Sequence, residues 1–282
     1  AKGCNFLLTN GGEMKDYWGV GKASKPMLPI IAIPTTAGTG SECQSFALIS
    51  DAVTHAKMAC GDPKAMAKVA ILDPELTLSQ PARVTACTGI DAVAHAVESA
   101  VTRKRNETSQ QYSRVAFGLL SQSLPTVLTK PNDVEARGLM LLGAAFAGTA
   151  IEHSMLGAAH SAANPLTAHF DVIHGQAVGL MLPHVVRFNG EDEVIARAYA
   201  ELVTGTTAAS INGVPAHESL ASLLEDFMDA AGMPRDLTDC GVDATKIDLL
   251  SEEAAAQWTA SFNPRDITAS DFKGLYSRAF GS

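Results

Sequence analysis

Apolar and polar positions follow two different rhythms along the chain. Before residue 79, short apolar runs alternate with clusters of Gly, Pro and hydroxylated residues; after Pro81, Ala/Leu-rich stripes recur at helical spacing to the end. Residues 4–8 read as the tail of a helix stopped at Thr9-Asn10-Gly11-Gly12, and Asp16 to Gly21 as loop. Leu28–Ile33 is a continuous apolar run rich in β-branched residues, the pattern of a strand buried in a parallel sheet. Extended segments are expected at Phe46–Ser50, His55–Ala59 and Lys68–Leu72. Helices are expected over 82–102, 106–123, 132–149, 152–163, 175–187, 191–203, 215–231, 246–250 with 252–257, and 271–280. Asn164-Pro165 should end or kink the fourth of these, and Ser251 and Ser270 read as helix starts. The pattern therefore predicts an α/β part over 1–78 followed by an all-α part over 79–282.

Composition narrows the class. With 282 residues, 46% hydrophobic and 18% charged, the chain has the balance of a folded globular protein with room for about two domains. A formal charge of -9, with no basic cluster beyond Arg103-Lys104-Arg105, disfavours nucleic acid and anionic membrane as partners. The five cysteines are scattered and lack CxxC spacing, so neither a disulfide framework nor a thiolate metal site is expected, and a reducing cytoplasm fits best. No stretch reaches the roughly 18 uninterrupted apolar residues of a membrane span, and the start has no signal-peptide layout. It also lacks an initiating Met, which suggests that a front piece is missing.

Three stretches carry candidate chemistry. In Gly89-Ile-Asp-Ala-Val-Ala-His-Ala-Val-Glu98, Asp91 and His95 are one helical turn apart and Glu98 follows on the same stripe. A carboxylate and an imidazole so placed form half of a divalent-metal site, although such a pair is more commonly an orienting hydrogen bond. Glu98 reads as a stripe neighbour or a hydrogen-bond partner of His95. His160 and His174 lie on a second helix and at the start of a third. Together with Asp91 and His95 they complete an O/N ligand set suited to Fe(II) or Zn(II). His169, His184 and His153 are lesser candidates, and His55 and His217 read as loop or solvent positions. The third stretch, Pro34-Thr35-Thr36-Ala37-Gly38-Thr39-Gly40-Ser41-Glu42, follows a predicted strand and offers several N–H and O–H donors to a phosphate or an amide. It is neither a G-x-G-x-x-G fingerprint nor a Walker loop. Lys57, in a later strand, is long enough to reach a phosphate or ribose, although a solvated strand lysine is the commoner case.

These motifs, in this order and spacing, resemble the iron-containing (group III) alcohol dehydrogenases, and the resemblance runs over essentially the whole chain. It implies a dehydroquinate synthase-like two-domain architecture, with 1–78 the later portion of an α/β dinucleotide-binding domain and 79–282 a helical metal-binding domain. It implies Asp91, His95, His160 and His174 as metal ligands for Fe(II), with Zn(II) the other choice. By position, Thr35, Thr36, Ala37, Gly38, Thr39 and Lys57 match the residues that bind NAD or NADP. The family's Gly-Gly-Gly-Ser loop precedes the point where this chain begins. Asn164 stands where many members carry His; it cannot act as acid or base and is carried over only for substrate orientation. The activity implied is hydride transfer between a small alcohol and its aldehyde or ketone, in a cytoplasmic homodimer. The alternatives are a metal-dependent lyase or synthase of the same architecture, or an inactive fragment that binds metal but holds the dinucleotide poorly.

Overall fold

The computed structural model describes residues 1–51, 57–204, 206 and 213–281, together with only the backbone of Ser50 and Lys57. The front part begins with helix α1 (Lys2–Asn10) and carries five short strands: β1 (Gly19–Val20), β2 (Ile31–Ala32), β3 (Phe46–Ser50), β4 (Lys57–Gly61) and β5 (Val69–Ala70). Strands β3 and β4 pair antiparallel from Phe46↔Gly61 to Ser50↔Lys57, and β1 adds in parallel to β4. Strands β2 and β5 form a separate two-stranded parallel ladder. A small core of Phe6, Tyr17, Ala23, Ala47, Met58, Cys60 and Ala65 holds α1 against the three-stranded sheet.

The run Leu28–Ile33 is predicted as a buried strand. Only Ile31–Ala32 pairs, and Leu28, Ile31 and Ile33 are 53%, 64% and 51% exposed. Their ladder has two strands, and it leaves these three side chains at least half exposed. Of the expected extension over His55–Ala59, Lys57 to Ala59 lie in β4, and residues 52–56, including His55, lie outside the described residues.

From Ala82 on, the regular elements among the described residues are helices: α2 (Ala82–Val101), α3 (Glu107–Thr129), α4 (Val134–His153), α5 (Ala158–Phe170), α6 (His174–Gly190), α7 (Glu193–Val203), α8 (Ala216–Ala230), α9 (Ile247–Ala256) and α10 (Ala269–Ala279). Side-chain caps from Asn106, Asp133, Asp192 and Thr268 start α3, α4, α7 and α10 by accepting from otherwise unpaired N–H groups. Helix α2 is the centre of the bundle, with an unbroken buried run from Gly89 to Val101. Helix α4 is long and apolar enough to cross a membrane by length and composition, but 61% of that window is buried in the bundle, as in a core helix.

Among the described residues, three prolines lie inside helices. Pro165 does not end α5: the helix starts at Ala158, later than expected, and runs on to Phe170. A proline in mid-helix forfeits one backbone hydrogen bond at a cost of about 3 kcal/mol. The fully buried Ala162, Ala163 and Leu166 around it offset that by packing. Helix α3 likewise passes through Pro125 to Thr129, and α9 is continuous through Ser251, which is a buried interior residue and not a start. Thr268, two residues ahead of the predicted Ser270, opens α10.

Candidate metal centre

Helix α2 presents Asp91, His95 and Glu98 on one face, and all three are buried at 5%, 5% and 4% exposure. The face can approach its neighbours because small residues flank it. Gly175, the second residue of α6, packs directly on the Cys87 carbonyl of α2, where any Cβ would collide. That contact brings His174, the first residue of α6, beside Asp91. Helix α5 supplies His160 from its first turn.

The three imidazoles converge on one oxygen. The Nε2 atoms of His95, His160 and His174 lie 3.5, 3.4 and 3.8 Å from Asp91 Oδ1. The His95 and His160 rings stack with centroids 4.9 Å apart, and His160 and His174 tilt together at 5.4 Å. Ligand atoms of Asp91, His160 and His174 all fall within 4.8 Å of one another. Four ligands at about 2.1 Å from a tetrahedral ion stand about 3.4 Å apart, so Asp91, His160 and His174 are spaced to share a divalent ion, while His95 approaches Asp91 but lies outside that group of three. Well-aligned hydrogen bonds do not account for the cluster: the buried Asp91 Oδ1 and His160 Nε2 stand 3.4 Å apart without a partner in hydrogen-bond geometry. Orphaned buried polar atoms cost on the order of 1–3 kcal/mol each, a cost that a shared cation would remove.

The electrostatics of the metal-free cluster differ from ring to ring. Burial pushes the Asp91 carboxyl upward, but the surrounding His95, His160 and His174 outweigh it and hold it well below the usual carboxylate range. Burial and the neighbouring His160 keep His95 below its ordinary value despite the pull of Asp91. His160 is the opposite case: burial disfavours its charge, yet Glu98 and Asp91 together raise it to about 9.

Glu98 is not the partner of His95 that the sequence suggests. Its Oε2 lies 2.5 Å from His160 Nδ1, and its Oε1 accepts from the Ala159 N–H at 2.7 Å. Further buried polar pairs lie in the same region: Asn189 and Asn263 exchange amide hydrogen bonds at 3.0 and 2.9 Å, and Ser161 bonds Thr259 at 2.7 Å.

The Pro34–Glu42 loop lies against the same bundle. Gly40 sits in the left-handed region at φ 58°, and a Cβ there would come within 2.6 Å of the Ala144 carbonyl on α4. A Cβ on Gly38 would meet Thr88 of α2 at 2.6 Å, so both glycines are required by close approach. Thr36 and Ala37 line a small gap with Thr77, Gln80, Thr85 and Thr88, while Thr35 and Thr39 are exposed. The loop is anchored from α1, where the Lys2 ammonium donates to the carbonyls of Ser41, Gln44 and Phe46. Downstream, the Ser45 N–H donates to Glu152 at 2.9 Å and Phe46 stacks on Trp258 with ring centroids 6.3 Å apart. The side chain of Lys57 lies outside the described residues.

Asn164, one turn beyond His160, donates from Nδ2 to Gln257 Oε1 at 3.1 Å. His169 is a surface residue paired with Glu253 at 2.8 Å, and His153 ends α4. His184 is largely buried and held down to about 4 by burial and by Arg187 and Arg278. His217 is not a solvent residue: its side chain is 16% exposed and packs on Gly190. Sequence reading did not find Gln257, Trp258 or the Glu98–His160 bond, because each partner is distant along the chain and no spacing rule links them.

Comparison with known proteins adds an independent line. The C-terminal region of the Fe-containing alcohol dehydrogenase family matches residues 85–280, and the iron-containing alcohol dehydrogenase family matches residues 1–74. The chain is 33% identical over 279 residues to the NAD-dependent methanol dehydrogenase of Bacillus methanolicus, covering 99% of this chain and 73% of that one. Among solved structures, the alcohol dehydrogenase from Oenococcus oeni superposes with a TM-score of 0.92 at 29% identity, covering 99% of this chain and 73% of that one. The sulfoacetaldehyde reductase from Bifidobacterium kashiwanohense, solved in complex with NAD+, gives a TM-score of 0.84 at 28% identity over 100% of this chain and 73% of that one.

Proposed function

The chain belongs to the iron-containing alcohol dehydrogenase family, and from that premise we infer that it is an oxidoreductase transferring a hydride between a small alcohol and NAD. The observation that carries the reading is the convergence of the His95, His160 and His174 Nε2 atoms on Asp91 Oδ1 at 3.4–3.8 Å. These four residues would hold an Fe(II) or Zn(II) ion. Such an ion, when bound, supplies the Lewis acidity that favours the ionised alcohol and polarises the carbonyl in the reverse direction.

The chain's own residues do the rest. Thr35, Thr36, Ala37, Gly38 and Thr39 form a backbone-rich loop for the dinucleotide, and Lys57 adds a cation from β4. The packing of this loop on α2 and α4 supports a dinucleotide site near the proposed metal ligands. Asn164 and Gln257 present paired amides one turn from His160 and orient the alcohol without exchanging a proton with it. Residues 1–78 then serve as the dinucleotide-binding portion and 79–282 as the metal-binding portion. A homodimer in the cytoplasm, with no nucleic-acid or membrane partner, completes the reading.

Elemental analysis combined with an alcohol panel followed by NADH absorbance tests it. His174→Ala should lose bound metal and turnover together. Full turnover by a chelator-treated His174→Ala protein would refute the assignment.

A further inference from the structure

The metal ligands use one nitrogen of each imidazole, and at His160 the structure shows what governs the other. Glu98 is 4% exposed and accepts at both ends from the start of α5: Oε1 from the Ala159 N–H at 2.7 Å, and Oε2 at 2.5 Å from His160 Nδ1. Two residues ahead of Ala159, capping the start of α5, is Gly157, where a Cβ would sit 3.2 Å from Glu98 Oε1 and 3.3 Å from Asn263 Oδ1. The absence of a side chain there leaves room for the carboxylate to reach the helix.

An ionised carboxylate only accepts hydrogen bonds. Its bond to His160 therefore needs the hydrogen on Nδ1, which leaves the lone pair of the neutral ring on Nε2. That atom is the one without a hydrogen-bond partner, 3.4 Å from Asp91 Oδ1. We propose that Glu98 is a positioning residue for the metal centre, fixing His160 as its Nδ1–H tautomer and aiming Nε2 at the ion. The proposal rests on the reading of Asp91, His95, His160 and His174 as a metal site.

Glu98→Gln makes the test sharp because it preserves size and removes one acceptor. If the amide oxygen stays with the Ala159 N–H, the NH₂ faces His160 Nδ1 and forces the hydrogen onto Nε2, where it blocks metal binding. If the amide is reversed, two donors meet at Ala159. The near-isosteric change should therefore be no milder than truncation.

The experiment measures Zn(II) affinity of the chelator-stripped full chain by competition with a chromophoric chelator, for wild type, Glu98→Gln and Glu98→Ala. Thermal melting of the metal-free forms runs alongside. The expected result is a loss of about 10–100-fold in affinity for Glu98→Gln, at least as large as for Glu98→Ala, with a smaller drop in metal-free melting temperature than Glu98→Ala shows. Wild-type affinity in Glu98→Gln, or a loss clearly milder than that of Glu98→Ala, overturns the assignment. Nitrogen-15 NMR of the Zn(II)-loaded wild type gives a check independent of variant folding: His160 must carry a proton on Nδ1, and its absence overturns the proposal. Failure of the wild type to take up any divalent ion overturns the metal-centre reading and this assignment with it. Equal uptake by wild type and Glu98→Gln overturns this assignment alone.

Discussion

Gly40 of the Pro34–Glu42 loop and Gly148 of α4 meet backbone to backbone, and neither position has space for a Cβ. The contact fixes how the loop proposed to hold NAD lies on the helical part. Gly148→Ala should push the loop off α4, raising the KM for NAD several-fold and lowering stability by about 1–3 kcal/mol, as overpacking does. NAD titration and urea unfolding on the same preparation check both effects.

Metal binding should compete with protons at His160. In the metal-free protein this ring is held at about 9 by Glu98 and Asp91, so below that pH a proton must leave before Nε2 can bind an ion. Zn(II) affinity should rise with pH until about 9 and then level. The same shift stabilises the metal-free fold. Its folded-state value lies above the ordinary 6.5, so the stabilisation is complete below 6.5 and is lost as the pH rises through about 9. Unfolding of stripped protein across that window should show the decline, and the metal-loaded protein should not.

His184 gives the opposite slope. Its folded-state value of about 4 lies below the ordinary 6.5, chiefly through burial. As the pH falls from 6.5 towards 4, the unfolded chain takes up a proton that the folded ring refuses, and stability drops. The loss is on the order of 3 kcal/mol at most. Replacing His184 with Leu should flatten this part of the stability profile measured by urea denaturation.

Tyr276 of α10 is fully buried, and its hydroxyl donates to the Ala162 carbonyl at 2.7 Å. This bond ties α10 to the helix that carries His160. Tyr276→Phe should cost about 1 kcal/mol of stability and leave Zn(II) affinity unchanged. A chelator competition assay on the variant distinguishes a packing tie from a role at the site.

The parts of the centre readable from sequence are those governed by helical periodicity. Asp91 and His95 are one turn apart on a stripe without breakers, and their shared face follows from that spacing alone. Convergence with His160 and His174 is not a local property; it depends on Gly175 packing on Cys87, a contact between residues far apart in the chain. Glu98 shows the limit most clearly. On α2 it shares a stripe with His95, so local reasoning pairs those two, whereas the fold brings the first turn of α5 across and gives the carboxylate to His160. Pro165 misleads for a related reason: its local cost is real, and the tightly buried alanines around it outweigh it. Leu28–Ile33 has the composition of an interior strand, but burial is conferred by neighbouring layers and cannot be read from the run itself.

The stacking of Trp258 on Phe46 has a practical consequence. The chain contains two tryptophans, and this indole bridges a strand of the front part and the helical part while remaining 44% exposed. Any tilt of one part against the other changes the solvent around that ring, and with it the colour and yield of its emission. The protein thus carries a built-in fluorophore at the contact between its front and helical parts, able to report a change in that contact without an added label.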